Sequence, residues 1–400
     1  IVFDVCGVVL INKYILLIKN FVRTAKVEGL SIAFRKFRCY VRGKGATARL
    51  SKLDSVAIKK KYLSRHYDGL IRYASEYDGV PPVILPPTID WNVPLHQRMH
   101  HLASSLPANG IPYIFCTPRM RDSIRGNEIT SGGCVLTDRW DLAYLLEGKK
   151  IFHLYSTDLC HSYGYFDKYE NICREIDKGN GFIYDYVDEI HEDISKTEVS
   201  DDIIKRHVKM LEDERVLVTA TADTLYDEVL KYRSGNCLKI TNGVNLSDFK
   251  IQRDISDVPS ELLDIVGKNR RIIGYYGSLA KWMDYELLMK IAEMRPEYEI
   301  ILIGWKYDNS SDLVDFSKCN NIHIIGPVTY RDLSKYACWF DVSIIPFLVN
   351  EITKSTSPLK LFEYMALGHP IVTTDMDECR KYRSVLVSKT HEDFIENLDR

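Results

Sequence analysis

From residue 81 onward the apolar positions come in short bursts separated by longer amphipathic stretches. The bursts are PVIL (82–85), PYIFC (112–116), CVLT (134–137), KIFHLYS (150–156), GFIYDYV (181–187), RVLVTA (215–220) and LKIT (238–241). Runs this short and this apolar predict strands buried on both faces. Between several of them, VPLHQRMHHLASSL and SDDIIKRHVKMLED carry apolar residues at the helical period. Strand–helix alternation of this kind predicts a parallel sheet covered on both sides.

The rhythm lapses over NLSDFKIQRDISDVPSELLDIVGKNRR (245–271) and then restarts. RIIGYYGS, EIILIGW, NIHIIGPV, DVSIIPF, PIVTT and SVLVS predict a second set of strands, with helices at MDYELLMKIAEM, YRDLSKYACW and PLKLFEYMAL. The fold class is therefore α/β, with two Rossmann-like doubly wound domains at 81–250 and 251–400. Ligands in this architecture are expected at the carboxyl ends of the strands, in a cleft faced by both sheets.

Residues 1–80 differ. They read as a basic helical segment, and 1–66 hold fifteen Lys/Arg against three Asp/Glu, a balance of +12 where the remainder carries −14. In LSIAFRKFRCYVRGKG, Ala33, Phe37 and Val41 recur at helical spacing with Arg35, Lys36 and Arg42 elsewhere around the helix, and Gly43 and Gly45 predict a break. Such a segment fits an anionic membrane surface or a linker to a preceding domain. For nucleic-acid binding, only the charge speaks. The chain begins at Ile1 rather than Met, so further sequence before it is expected.

With 46% hydrophobic and 27% charged residues, the 400-residue chain has the composition of a globular protein. No apolar run approaches the ~18 residues that span a bilayer. The ten cysteines form no C-x-x-C pair and no zinc spacing, and predict reduced, mostly buried thiols.

One stretch carries chemistry. In SPLKLFEYMALGHPIVTT (357–374), Ser357 is the expected N-cap, Pro358 the first helical residue and Gly368 the residue just past the end. Lys360 is then third in the helix, beside unsatisfied amides where a cation is disfavoured by roughly 0.3–1 kcal/mol. A docked anion would reverse that sign, since an ammonium ~4 Å from a phosphate charge gains about 4 kcal/mol at an effective dielectric near 20. Glu363 lies on the same face, placed to accept bonds from ribose hydroxyls. A solvated Lys and Glu on an ordinary amphipathic helix is the equally weighted alternative.

ITNGVNLSDF, IGYYGSLAKWMDYELL, ILIGW, NIHIIGPVTYRDLSKYACWFDVSIIPF and SPLKLFEYMALGHPIVTT resemble, in order and spacing, the C-terminal half of the GT-B retaining glycosyltransferases that use nucleotide sugars. PPTIDWNVPLHQRMHHLASSL and GFIYDYVDEI resemble the N-terminal half of the branch that builds teichuronic acid, capsule and other bacterial surface polysaccharides. The resemblance covers roughly residues 81–390, and chains of this family continue with further helices after SVLVS, so a truncated C-terminus is expected.

The resemblance implies a donor site at Gly277, Ser278, Lys281, Ser357, Leu359, Lys360 and Glu363, with Glu363 on the nucleotide ribose. Lys281 and Lys360 would stabilise the leaving diphosphate. Two positions depart from the family pattern: its first glutamate falls on Ser355, and its phosphate-binding arginine on Ser278. Asp188 is the implied catalytic carboxylate. Trp91, Gln97, Arg98, Asp158, His161 and Asp185 are the implied acceptor side, although Asp185 also reads as a loop cap and His161 as a structural histidine. With lysines and a helix N-terminus at the phosphates, and no D-x-D in a metal-binding context, neither metal nor cofactor is expected. The expected partners are a nucleotide-sugar donor, a lipid-linked or polysaccharide acceptor and an anionic membrane surface reached through residues 1–66, on the cytoplasmic face of the cell membrane; no nucleic acid is expected. A sugar-nucleotide epimerase of similar fold and a non-catalytic binding module are the competing readings.

Overall fold

The structure is a computed structural model describing residues 18–19, 21–26, 29–52, 65–93, 96–160, 164–195, 198–249 and 253–400. One sheet runs β3-β4-β2-β1-β5-β6-β7-β8 and the other β11-β10-β9-β12-β13-β14. The first contains β1 (Val83–Leu85), β2 (Tyr113–Cys116), β3 (Asn127–Ile129), β4 (Val135–Thr137), β5 (Ile151–Tyr155), β6 (Gly181–Tyr186), β7 (Leu217–Ala220) and β8 (Cys237–Lys239). The second contains β9 (Ile272–Tyr276), β10 (Glu299–Ile303), β11 (Ile322–Ile325), β12 (Val342–Ile345), β13 (Ile371–Thr374) and β14 (Val385–Ser388). Every predicted strand is present. β3, which pairs antiparallel with β4, escaped the sequence reading because Asn127, Glu128 and Ile129 form no apolar burst.

The chain divides into two compact units. One holds the described residues of Ile1–Asn92, Leu106–Leu154 and His161–Phe182; the other holds Val93–Ser105, Tyr155–Cys160 and Ile183–Arg400. In the second unit β9, β10, β12 and β13 are buried along their whole length, among them Ile273, Ile300, Ile301, Leu302, Ile344 and Val372 at 0% exposure. Complete burial on both faces explains why these segments lack polar alternation. Gly274 belongs to this core for a steric reason, because a Cβ there would lie 2.0 Å from the Phe340 ring.

Two local expectations are corrected. The helix Leu30–Lys52 continues through Gly43 and Gly45 without a break. Its Ala33, Cys39, Gly43 and Ala46 are buried, so burial of that face outweighs the glycine penalty of about 1 kcal/mol each. Ala33 does not share a face with Phe37 and Val41: it is 1% exposed and they are 40% and 52% exposed. Successive i+4 steps each advance about 40° around a helix, which takes the three residues from a buried to an exposed face.

Candidate functional site

The chemistry-bearing residues of the second unit gather where β9 ends. Beyond Tyr276 the backbone turns through Gly277 at φ +143, and beyond β10 through Gly304 at φ +150. A Cβ on Gly304 would stand 1.7 Å from the Gly277 carbonyl oxygen, so the two loops cross backbone to backbone. A Cβ on Gly277 would meet the Tyr275 hydroxyl at 2.9 Å and Lys360 Cε at 3.0 Å. Glycine at 277 thus lets the stem of Lys360 lie against this loop.

Lys360 belongs to the helix Leu359–Leu367, whose N-cap is Pro358 and whose C-cap, Gly368, is left-handed at φ 70 as its position predicted. The expected Ser357 cap is corrected by one residue, because Pro358 is extended at ψ 121 and its carbonyl accepts the first bond, from Leu361 N at 3.1 Å. Lys360 is therefore second in the helix, nearer the free amides. Its Nζ sits 4.7 Å from the Phe347 ring centroid and 5.4 Å from that of Tyr275. Among the described residues Nζ makes no hydrogen bond or ion pair. Burial pulls its pKa down to about 8, with Glu363 opposing the shift.

Glu363, one turn on, is 5% exposed. Burial pushes it up to about 7, the Tyr276 hydroxyl and Lys360 act the other way, and Asp248 adds to the rise. The two charges influence each other without forming an ion pair. An aromatic wall continues from Glu363: Tyr276 stands edge-on to Tyr364 at 4.8 Å, and His96 stacks on Tyr330 at 4.5 Å and on His100 at 4.8 Å. Burial lowers His96 to about 3, so it is a neutral ring at physiological pH. The Tyr276 and Tyr330 hydroxyls and His101 Nε2 are buried without a hydrogen bond of good geometry.

Asp188 follows β6 and is half-buried, its backbone carbonyl accepting the Ser156 hydroxyl at 3.0 Å. Burial, with Glu189 adding, pushes its carboxyl up to about 7. The neighbouring Glu189 lies close enough to Ser355 for that hydroxyl to favour its charged form. A carboxylate from the segment after β6 therefore stands beside the position where the family resemblance called for a glutamate.

Among the described residues Lys360 thus has no ion-pair partner, and it stands at a helix start beside a glycine crossing, an arrangement that can receive an anion. Residues 270–400 match the family described as glycosyl transferases group 1. That segment is a group 1 glycosyltransferase domain. TuaH of Bacillus subtilis (strain 168), named for a glycosyltransferase role in teichuronic acid biosynthesis, is 22% identical over 171 residues. The alignment takes in 42% of this chain and 43% of TuaH, so the chain spans less than half the length of that relative. Sucrose-phosphate synthase from Thermosynechococcus elongatus has a similar structure, with a TM-score of 0.60 at 12% identity over 80% of this chain and 89% of that one. Anabaena HepE in complex with UDP and glucose gives 0.55 at 11% identity over 79% and 88%. The fold is GT-B.

Within the group 1 domain the structure brings Gly277, Lys360 and Glu363 together, with Ser357 and Leu359 at the start of the same helix. Ser357 is buried, and its carbonyl accepts Asn242 Nδ2 at 2.7 Å. Ser278 is also buried, and its hydroxyl already accepts Trp305 Nε1 at 3.0 Å. Lys281 is exposed on the following loop, its amide donating to Asp308 at 3.1 Å.

Of the expected acceptor-side residues, Arg98 and Asp185 meet as an ion pair. Arg98 Nε donates to Asp185 at 2.7 Å, and its Nη1 donates to the Thr241 carbonyl at 2.9 Å. Asp185 is 1% exposed and its other oxygen accepts Thr219 Oγ1 at 2.7 Å. Both groups engage polar atoms inside the protein, as a buried ion pair with further hydrogen bonds. Asp158 accepts the Tyr155 amide at 3.1 Å within its own turn. Gln97 contributes its backbone to His100, and Trp91, in the first unit, packs edge-on to Phe115 at 5.2 Å. His161 lies outside the described residues. Tyr275, Tyr276, Tyr330 and Phe347 were missed as site residues, since an aromatic at a strand end reads as core until its neighbours are known.

Proposed function

We propose that the chain is a glycosyltransferase that moves a sugar from a nucleotide-diphosphate donor to a lipid-linked or growing polysaccharide acceptor in bacterial surface polysaccharide synthesis. The observation that carries this is Lys360: a cation over two aromatic rings, beside the Gly277 loop, with no ion-pair partner among the described residues. Its ammonium and the amides of its helix would hold the diphosphate and stabilise the charge that grows as the glycosidic bond breaks, a task lysine performs without a metal. Glu363 would accept the ribose hydroxyls. Asp188, raised to about 7, would face the transferred sugar or the incoming hydroxyl. The UDP and glucose bound by HepE make a uridine donor the first to test. A retaining outcome and a location on the cytoplasmic face of the membrane complete the proposal.

Thermal stabilisation across a panel of nucleoside diphosphates tests the donor assignment. The right nucleotide at 100 times its dissociation constant adds about 2.7 kcal/mol. Nucleoside diphosphate release that depends on an added acceptor supports transfer, and acceptor-independent release points to an epimerase. The engaged Ser278 hydroxyl and exposed Lys281 favour one second reading, a nucleotide-sugar-binding module without turnover; binding with no release under any acceptor would establish it.

A further inference from the structure

The helix Leu30–Lys52 has two faces with different environments. On one, Ala33, Cys39, Gly43 and Ala46 are buried, Cys39 Sγ donates to the Pro118 carbonyl at 3.2 Å, and Lys44 pairs with Asp167 at 3.1 Å. On the other, Leu30, Phe34, Phe37 and Val41 are exposed by 63%, 56%, 40% and 52%. At about 100° per residue these four fall within an arc of about 60°. The short helix at 21–26 extends the ridge: Phe21 stands edge-on to Phe34 at 5.1 Å and to Phe37 at 6.3 Å, with Val22 and Ile18 exposed beside it. An apolar surface this continuous is a docking feature rather than scattered exposure.

Its charge selects the occupant. The long helix contains seven Lys/Arg and no Asp/Glu, and Arg35, Arg38 and Arg42 are exposed along one flank of the ridge. A second copy presenting the same surface would bring like charges together. A nucleic acid would use the cations and leave the apolar ridge in water. An anionic bilayer satisfies both, taking the apolar side chains at the acyl boundary and the guanidinium groups at the headgroup phosphates. No described helix is long and apolar enough to cross a membrane, so the segment would lie in the surface plane.

We propose that residues 18–19, 21–26 and 29–52 form an in-plane membrane foot, in which the Ile18, Val22, Leu30, Phe34, Phe37 and Val41 ridge inserts and Arg35, Arg38 and Arg42 hold anionic headgroups. This deepens the membrane-surface part of the proposed function by naming the face and adding insertion to attraction. Its test needs no turnover, so its failure is separate from failure of the transfer chemistry.

The full 400-residue chain is floated with phosphatidylglycerol-containing vesicles and with phosphatidylcholine vesicles. The parent binds the anionic vesicles. Phe34→Ser with Phe37→Ser weakens that binding more than tenfold at unchanged charge, and Arg35→Gln, Arg38→Gln and Arg42→Gln together do the same. Phe34→Leu with Phe37→Leu retains it, which separates insertion from misfolding. Parent-like binding by the Ser pair overturns the insertion, and equal parent binding to both vesicle types overturns the role of the arginines. A parent dimer that the Ser pair makes monomeric, without vesicle binding, assigns the ridge to self-association and overturns the proposal. Retention on duplex DNA but not on vesicles overturns it in favour of nucleic acid.

Discussion

Replacing Lys360 by Met should make the ligand-free protein more stable and its nucleotide binding weaker. Methionine keeps an unbranched stem against Phe347 and Tyr275 and removes only the charge. Holding the ammonium at about 8 against an ordinary 10.5 corresponds to roughly 3 kcal/mol of unfavourable charge burial. Because the residue keeps partial solvent contact, about 1–2 kcal/mol is the expected gain. That raises the melting temperature of a unit of this size by roughly 2–4 °C per kcal/mol. The bound diphosphate loses a charge-assisted hydrogen bond of about 1.5–3 kcal/mol, or roughly 10–150-fold in affinity. Thermal unfolding of parent and variant, with and without nucleoside diphosphate, measures both signs in one experiment. The pH dependence adds a check. With the folded pKa below the unfolded one, the unfolded chain binds more protons between about 8 and 10.5, so the parent gains stability as pH rises through that window and the variant does not. A variant that melts lower than the parent and keeps the full nucleotide-induced shift would refute the anion-site reasoning and leave Lys360 as a structural cation over two rings.

Glu363→Gln tests the neighbouring group with the opposite linkage. Its folded pKa of about 7 lies above the ordinary 4.5, so the folded state holds the extra proton and the parent loses stability as pH rises from 4.5 to 7. In the Gln variant that loss should shrink, read from denaturation midpoints across the range, and nucleoside diphosphate should bind less tightly; an unchanged pH profile removes Glu363 from the buried-carboxyl role. Asp188→Asn should cut turnover at saturating donor at least tenfold while titration calorimetry finds nucleotide affinity nearly intact, whereas parent-like turnover returns Asp188 to a loop residue. Arg98→Met removes the cation paired with the buried Asp185 carboxylate, so chemical denaturation should show a loss of about 3–5 kcal/mol; parent-like stability with impaired turnover would assign Arg98 to the acceptor side.

The sequence by itself determined every strand of the two sheets except β3, and the ends of the Lys360 helix to within a residue. These features are local: strands buried on both faces must be continuously apolar, and a left-handed residue at Gly368 ends a helix wherever it occurs. The sequence also placed Lys360 beside free amides. What it left open was whether that cation is paired, because pairing depends on residues from other elements. Tertiary structure decided that Phe347 and Tyr275 flank it, that Gly277 makes room for its stem, and that burial shifts Glu363 toward its neutral form. It paired Arg98 with Asp185, residues 87 apart in sequence, an ion pair that no spacing rule could reveal. It likewise separated Ala33 from Phe37 and Val41, since helical periodicity says which residues share a stripe but not which stripe meets the body of the protein. Local rules fix what a segment can become; the partner of each charge and the covering of each apolar face are set by contacts between distant segments, and there the chemistry of this chain lies.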